Sequence, residues 1–350
     1  MQVTESVILG RTPSRAWGLG WCCKNSGALA AEAARDQDPG RHVGGQTGGK
    51  PSAGDSRSRH VGDGRSVAGV TALRQLEAPT GLRPGDHVCW TFADATDFSS
   101  AVLPYLDEGR RRGEQLLLIG ASRPALLHAA ASLPERDEML ARGQLEVRAA
   151  AEVYDPDRGL DPVKQVEALR SAVDAALDRG RTGLRVAADG TVLARCGPAE
   201  RRGLFIYERL ADAMIDTVAM TGLCLYDASL GEHVLGPLAV LHPGQHCGDR
   251  EALAHLSGRG PWLSLHGEVD VTQADDVFRA LVDIARDAAG EVVLDLADLE
   301  FLDVAGARML ARAARLLAEV GVQLRLVRAR RLVGRCLELF DLPEGPAVSA

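Results

Sequence analysis

The chain has 350 residues, 46% of them hydrophobic and 25% charged, with a formal net charge of −8 at pH 7. The length predicts about two domains, the composition fits a soluble globular protein, and the acidic balance excludes a nucleic-acid surface spread over the whole chain. No apolar run approaches the roughly 18–20 residues of a membrane span, and Val7-Ile8-Leu9 is too short for a signal peptide, so the expected location is the cytoplasm with no membrane partner.

Residues 36–69 are mostly Gly, Arg, Ser, His and Asp, with almost no large apolar side chain. Such a stretch cannot bury enough surface to offset its ordering entropy, so residues 1–80 read as a disordered extension. Order is expected from Gly81-Leu82-Arg83-Pro84-Gly85-Asp86 onward. His87–Phe92 reads as a strand, and Ala95–Arg112 as a helix with Phe98, Val102, Tyr105 and Leu106 on one face. Gln115–Ile119 is a continuous apolar run, as a parallel strand buried on both faces requires. Then follow a helix at Pro124–Leu133, a strand at Leu145–Ala149, a helix at Pro162–Asp178 and a strand at Leu184–Ala187. A long helix over Glu200–Met220, a strand at Gly222–Tyr226 and a last strand at Val234–Leu241 complete the set. This alternation predicts an α/β domain with a mostly parallel sheet over residues 81–245.

Residues 246–260 are expected to form a linker with a short helix and a Gly-rich end. A smaller β/α pattern fills residues 261–350: a strand at Trp262–His266, then a helix capped by Thr272 and running to Ala288. A buried strand at Val292–Leu296, a helix at Ala305–Val320, a strand at Gln323–Val327 and a helix at Arg331–Phe340 complete this part.

Seven cysteines lie at Cys22, Cys23, Cys89, Cys196, Cys224, Cys247 and Cys336, without zinc-finger spacing. A disulfide framework is not expected in a chain of this length. His87 and Cys89 are two apart on one strand, so both point to the same face. Cys224 stands on a second strand and His242 follows the last one. Together these four form a donor set suited to zinc or another borderline metal. The alternative is that Cys89 and Cys224 are simply small buried apolar residues. His246-Cys247 continues the series into the linker, Asp86 reads as a turn residue, and Asp227 as a strand-end polar group that could line a ligand site. Tyr207-Glu208 lies within a helix and serves packing or function equally well.

Several short motifs in order give residues 84–243 a family resemblance: PGDHVCW at Pro84–Trp90, GEQLLLIG at Gly113–Gly120, GLRVAADGTVL at Gly183–Leu193, YERL at Tyr207–Leu210, LCLYD at Leu223–Asp227 and HP at His242–Pro243. They resemble the MEDS domain, the sensory module of the DcmR type. The resemblance implies a degenerate RecA-like fold that senses small organic compounds. A nucleotide-binding P-loop needs glycines, a Lys and a Ser/Thr. Here the loop position after the strand reads Gly120-Ala121-Ser122-Arg123-Pro124, with one glycine and no lysine, and Lys occurs only at Lys24, Lys50 and Lys164. Arg123 could hold a phosphate, but ATP turnover is not expected.

GEVDVTQADDVFRALV at Gly267–Val282 and VVLDLADLEFLDVAGARML at Val292–Leu310 resemble the STAS domain of anti-sigma-factor antagonists. The resemblance implies that the loop Asp303-Val304-Ala305-Gly306 binds a partner, with Asp303 capping the following helix. In that family a Ser or Thr before the loop glycine is phosphorylated by a partner kinase, which would place a dianion on the binding surface. Here that position is Ala305, and no Ser or Thr occurs from Gln273 to Val348. Arg325, Arg328, Arg330, Arg331 and Arg335 form a basic cluster read as a solvated face or partner rim.

The sequence therefore predicts a non-enzymatic signalling regulator: a sensory domain, with a metal or a small organic molecule as its ligand, coupled to a domain that binds an anti-sigma factor of the serine-kinase type or another STAS-pathway protein. No direct nucleic-acid binding is expected. The alternatives are a ligand-free STAS scaffold that forms homo-oligomers, and a degenerate RecA-type ATP-binding protein.

Overall fold

The computed structural model describes residues 73–154, 159–247 and 252–340. Most of the expected N-terminal extension lies outside these residues. In the first half of the described chain, strand β1 (Arg74–Gln75) precedes β2 (His87–Phe92), α1 (Ala95–Arg112), β3 (Gln115–Gly120), α2 (Arg123–Ala129), α3 (Arg136–Ala141) and β4 (Leu145–Ala149). Then come α4 (Ala150–Val153), α5 (Pro162–Asp178), β5 (Leu184–Asp189), α6 (Thr191–Ala194), α7 (Pro198–Ile215), β6 (Met220–Asp227), α8 (Glu232–Val240) and β7 (Gly244–His246). The seven strands form a parallel sheet in the order β1-β7-β2-β6-β5-β3-β4. Side chains of α1, α2 and α3 pack on one face through Phe98, Val102, Leu106, Leu126 and Met139. Those of α5, α7 and α8 pack on the other through Val173, Leu204, Phe205, Ile215 and Leu238.

The second half carries β8 (Ala254–Arg259), β9 (Trp262–Val269), α9 (Ala274–Ala285), β10 (Glu291–Asp295), β11 (Leu299–Leu302), α10 (Val304–Glu319), β12 (Gln323–Val327) and α11 (Arg331–Leu337). Its sheet runs β11-β9-β10-β12, with β8 antiparallel to β9. Leu256, Leu265, Val277, Leu281, Leu294 and Leu310 belong to the same continuous apolar core as the α7 and α8 side chains.

The sequence reading needs six corrections. Val234–Leu241 is not a strand; it lies almost entirely within α8, which ends at Val240. An apolar run buried on all sides has no periodicity to separate helix from strand. Pro237 sits inside α8 and cannot donate to the carbonyl of His233 four residues back; Arg279 Nη1 supplies that donor at 3.3 Å. The long helix ends at Ile215, because Met220 already pairs with Leu184 as the start of β6. The segment read as a short linker helix holds β8, which makes a hairpin with β9 across Gly260-Pro261. Order starts earlier than Gly81, since β1 pairs with β7. The strand β11 was not anticipated, and Thr272 does not cap α9; its hydroxyl and N–H instead donate to Asp270 Oδ1 at 2.6 and 2.8 Å.

One buried charge braces the α1 face. The Arg185 side chain has no solvent exposure; it pairs with Glu114, donates to the Leu82 carbonyl at 3.0 Å and lies over the Tyr105 ring at 4.6 Å. Glu114→Ala leaves this guanidinium buried without its closest carboxylate. The expected loss is about 3 kcal/mol of unfolding free energy, read from urea denaturation.

Candidate functional site

The parallel pairing of β2 with β6 sets His87 opposite Gly222 and Cys89 opposite Cys224. Alternation then turns His87 and Cys89 toward the α7 face, while Val88 and Trp90 pack on the α1 side. Gly222 gives the ring its room here: a Cβ would stand 3.2 Å from the His87 ring and 3.0 Å from Ile215, tighter than ordinary contact. Helix α7 lays Glu208 under the sheet, and the turn after α8 delivers His242.

Four donor atoms converge. His87 Nε2 lies 3.4 Å from Glu208 Oε2 and 3.4 Å from Cys224 Sγ. His242 Nε2 lies 3.4 Å from Glu208 Oε2, and Cys224 Sγ is 3.5 Å from the same oxygen. One such atom from each of the four residues falls within 4.8 Å of all the others. His87, Glu208 and His242 are buried and Cys224 is partly so. The His87 and His242 rings are 4.1 Å apart.

An outer layer of polar groups fixes these side chains. The Tyr226 hydroxyl donates to Glu208 Oε1 at 2.5 Å. His87 Nδ1 faces Asp212 Oδ1 at 3.3 Å, and His242 Nδ1 faces the Leu238 carbonyl at 2.7 Å. A carbonyl can only accept, so Nδ1 of His242 carries a proton and its Nε2 is the atom turned to the cluster. That buried Nε2 makes no hydrogen bond.

The electrostatics follow from burial and neighbours. Burial would raise the Glu208 carboxyl, but His242 and His87 outweigh it and hold the group well below the usual carboxylate range. Asp212 is held down against burial by His255 and His87. Burial would lower His87, yet Cys224, Asp212 and Glu208 together raise it. Burial and the nearby His87 lower His242. Burial and then Glu208 push the Cys224 thiol up to about 12.

Of the four residues read from the sequence as one donor set, the structure gathers His87, Cys224 and His242. Cys89 shares their face, but its Sγ lies 4.0 Å from Cys247 Sγ and it stands outside the cluster. Glu208 takes its place. The sequence carries a signal for this: Leu204, Glu208, Ala211, Asp212 and Ile215 recur at helical spacing, so two carboxylates interrupt an apolar stripe. His246 stacks on Trp90 at 3.9 Å and serves packing. Asp86 accepts from the Arg83 N–H at 2.7 Å in its turn, and Asp227 caps Ser229 and pairs with Arg195 at 2.8 Å.

The loop position at Gly120, Ser122 and Arg123 follows from the end of β3, one strand from the sheet edge, into α2, and takes no part in the cluster. The space over Gly120 is filled: a Cβ there would meet Leu126 at 2.9 Å. Ser122 makes no side-chain cap, and Arg123 opens a helix of seven residues. Elsewhere, a cleft of about 570 Å³ opens at the carboxyl ends of β2 and β6, lined by Thr91, Ala228, Leu235, Gly236, Ala239 and Asp276. Strand carboxyl ends are where open α/β sheets take ligands.

In the second sheet, Asp303 caps α10: its Oδ1 accepts from the Gly306 N–H at 2.8 Å and its Oδ2 from the Val271 N–H at 3.0 Å. Gly306 lets the helix approach β9, since a Cβ would stand 2.9 Å from the Val269 carbonyl. Val304 remains 48% exposed, beside exposed Phe301 and Val271, while Ala305 is half-buried. In the basic cluster, Arg325 pairs with Glu291, Arg328 with Asp295, and Arg330 donates to the Ala297 carbonyl.

Residues 86–243 match the MEDS family model, described as the MEthanogen/methylotroph, DcmR Sensory domain, and residues 253–345 match the model of the Mlab, STAS domain. No curated protein matches the chain significantly. Among solved structures, the flagellar accessory protein FlaH from Methanocaldococcus jannaschii is similar over 51% of this chain and 72% of its own, at 9% identity and a TM-score of 0.30. Among the described residues no helix is long and apolar enough to cross a membrane.

Tyr226→Phe removes a hydrogen bond to a buried carboxylate while keeping the ring. It is expected to cost about 1.5–3 kcal/mol of stability, measured by chemical denaturation.

Proposed function

We propose that this chain, in which a MEDS domain precedes a STAS domain, is a non-enzymatic regulator: the first domain takes up a ligand and the second binds a regulatory protein. The partner is an anti-sigma factor of the serine-kinase type or another protein of a STAS pathway. The observation that carries the reading is the double engagement of α7.

One face of α7 supplies Glu208 to the buried cluster, and neighbouring residues of the same helix hold the first strand of the second sheet. Arg209 Nη1 donates to the Gly258 carbonyl at 2.8 Å, and Arg259 Nη2 donates to the Ala213 carbonyl at 2.5 Å. Asp212 bridges the two parts, with Oδ1 3.3 Å from His87 Nδ1 and Oδ2 3.3 Å from His255 Nε2 on β8. A ligand shifts such an equilibrium only if it favours one arrangement over another. A change at the cluster that moves Glu208 or His87 acts on the helix and carboxylate that position β8.

The partner surface in this reading is the ground around Asp303, Val304, Ala305 and Gly306. Exposed Val271, Phe301 and Val304 give it an apolar centre beside a capped helix start. Ala305 has no hydroxyl, so control by a phosphate at that position is replaced by control from the preceding domain. The missing lysine and the packed space over Gly120 speak against ATP turnover.

The test uses the full chain as affinity bait in a lysate of its native host, alongside Val304→Glu. The expected result is capture of an ATP-binding regulator or another STAS-pathway protein, weakened about tenfold by the substitution, which corresponds to ~1.4 kcal/mol at an interface. Capture of further copies of this chain alone, equal for both forms, would favour the scaffold reading instead.

A further inference from the structure

We infer that His87, Glu208, Cys224 and His242 form a closed tetrahedral site for a divalent ion of the zinc class, which is the ligand of the sensory domain. The inference deepens the regulator reading by naming the chemical class of its ligand, and its evidence is geometric.

Tetrahedral bonds of about 2.0–2.3 Å place neighbouring donor atoms about 3.3–3.8 Å apart. Three of the six separations are 3.4 Å and a fourth is 3.5 Å. The remaining two pairs, His242 with His87 and with Cys224, lie within 4.8 Å, so a small inward movement of His242 closes the shell. Two imidazole nitrogens, a carboxylate oxygen and a thiolate are the donors zinc prefers.

Two further observations distinguish a metal site from a buried hydrogen-bond network. First, the buried His242 Nε2 stands 3.4 Å from Glu208 Oε2 yet makes no hydrogen bond. A buried ring nitrogen without a partner is unfavourable, and a cation bound between it and the carboxylate satisfies both. Second, the outer layer is that of metal-bound side chains. His87 is backed by Asp212, His242 by the Leu238 carbonyl and Glu208 by the Tyr226 hydroxyl. Partners of this kind fix ring orientation and direct the opposite nitrogen at the ion.

A Cys224 thiolate and the Glu208 carboxylate would together match the charge of a divalent ion without a counter-ion. Four protein donors leave no open position, which is the arrangement of a structural ion and agrees with a regulator that performs no hydrolysis.

The experiment titrates Co2+ and Zn2+ into metal-depleted full-length protein. Expected are one equivalent bound per chain, the visible spectrum of tetrahedral Co2+ with a thiolate-to-cobalt charge-transfer band, displacement by Zn2+, and a rise in melting temperature with either ion. Cys224→Ser should abolish the charge-transfer band. Glu208→Gln and His242→Gln should weaken binding at least about tenfold, whereas Cys89→Ser should change neither band nor stoichiometry. Circular dichroism of each variant establishes that it is folded. If a variant does not fold, the wild-type charge-transfer band and stoichiometry decide the matter. A folded wild-type chain that binds no Co2+ at micromolar concentration would overturn the proposal. So would a band that survives Cys224→Ser and disappears with Cys89→Ser. Either failure leaves partner capture by the second domain as a separate result, since that assay needs no added metal.

Discussion

A carboxylate sealed from water must be matched by donors or cations from the protein, because burial of an uncompensated charge costs several kcal/mol. Glu208 sets that requirement for the first domain. Tyr226, His87, Cys224 and His242 are drawn from two strands and a post-helix turn to meet it. The close helix–sheet contact depends on it as well. Gly222 leaves room for the His87 ring, and the turn after α8 must bring His242 to the same oxygen. The cluster acts as a buried polar pin through an otherwise apolar layer.

The same helix carries the consequence outward. Glu208, Arg209, Asp212 and Ala213 lie within two turns of α7, and three of them contact β8 or the residues that extend it. The apolar core continues from Met214 and Leu238 to Leu256 and Leu281 without a break. Packed interiors transmit displacement because they have little free volume to absorb it. Arg279, which completes the hydrogen bonding around Pro237, adds a second tie between α8 and α9. A sensory domain joined to its neighbour only by a flexible linker would need some other route; here the two share side chains.

Much of the fold is legible in the residues. Continuous apolar runs such as Gln115–Ile119 mark buried parallel strands, and the stripes of α1 and α5 mark their helices. The signal fails where burial is uniform. Val234–Leu241 is apolar on every side, so periodicity cannot separate helix from strand. It also fails where a strand is short: Leu299–Leu302 has too few residues to display alternation. At the site, His87 and Cys224 stand 137 residues apart, and only the β2–β6 register brings them together. Cys89 could not be separated from the set by alternation alone, since it shares the face of His87 and differs only in how far along the strand it lies. Glu208 was visible as a charge inside an apolar helix stripe, but its neighbours come from other elements. Ala305 is the reverse case: there the sequence states plainly which chemistry is missing.

The central claim is that the state of the buried cluster is felt across α7 in the second sheet. Hydrogen exchange of the full-length protein with and without Zn2+ measures this directly, since amide protection reports local opening segment by segment. The account predicts added protection in β2, in α7 and in β8, the last through Arg209, Asp212 and Ala213. Protection confined to β2, β6 and α7, with β8 exchanging at an unchanged rate, would contradict it.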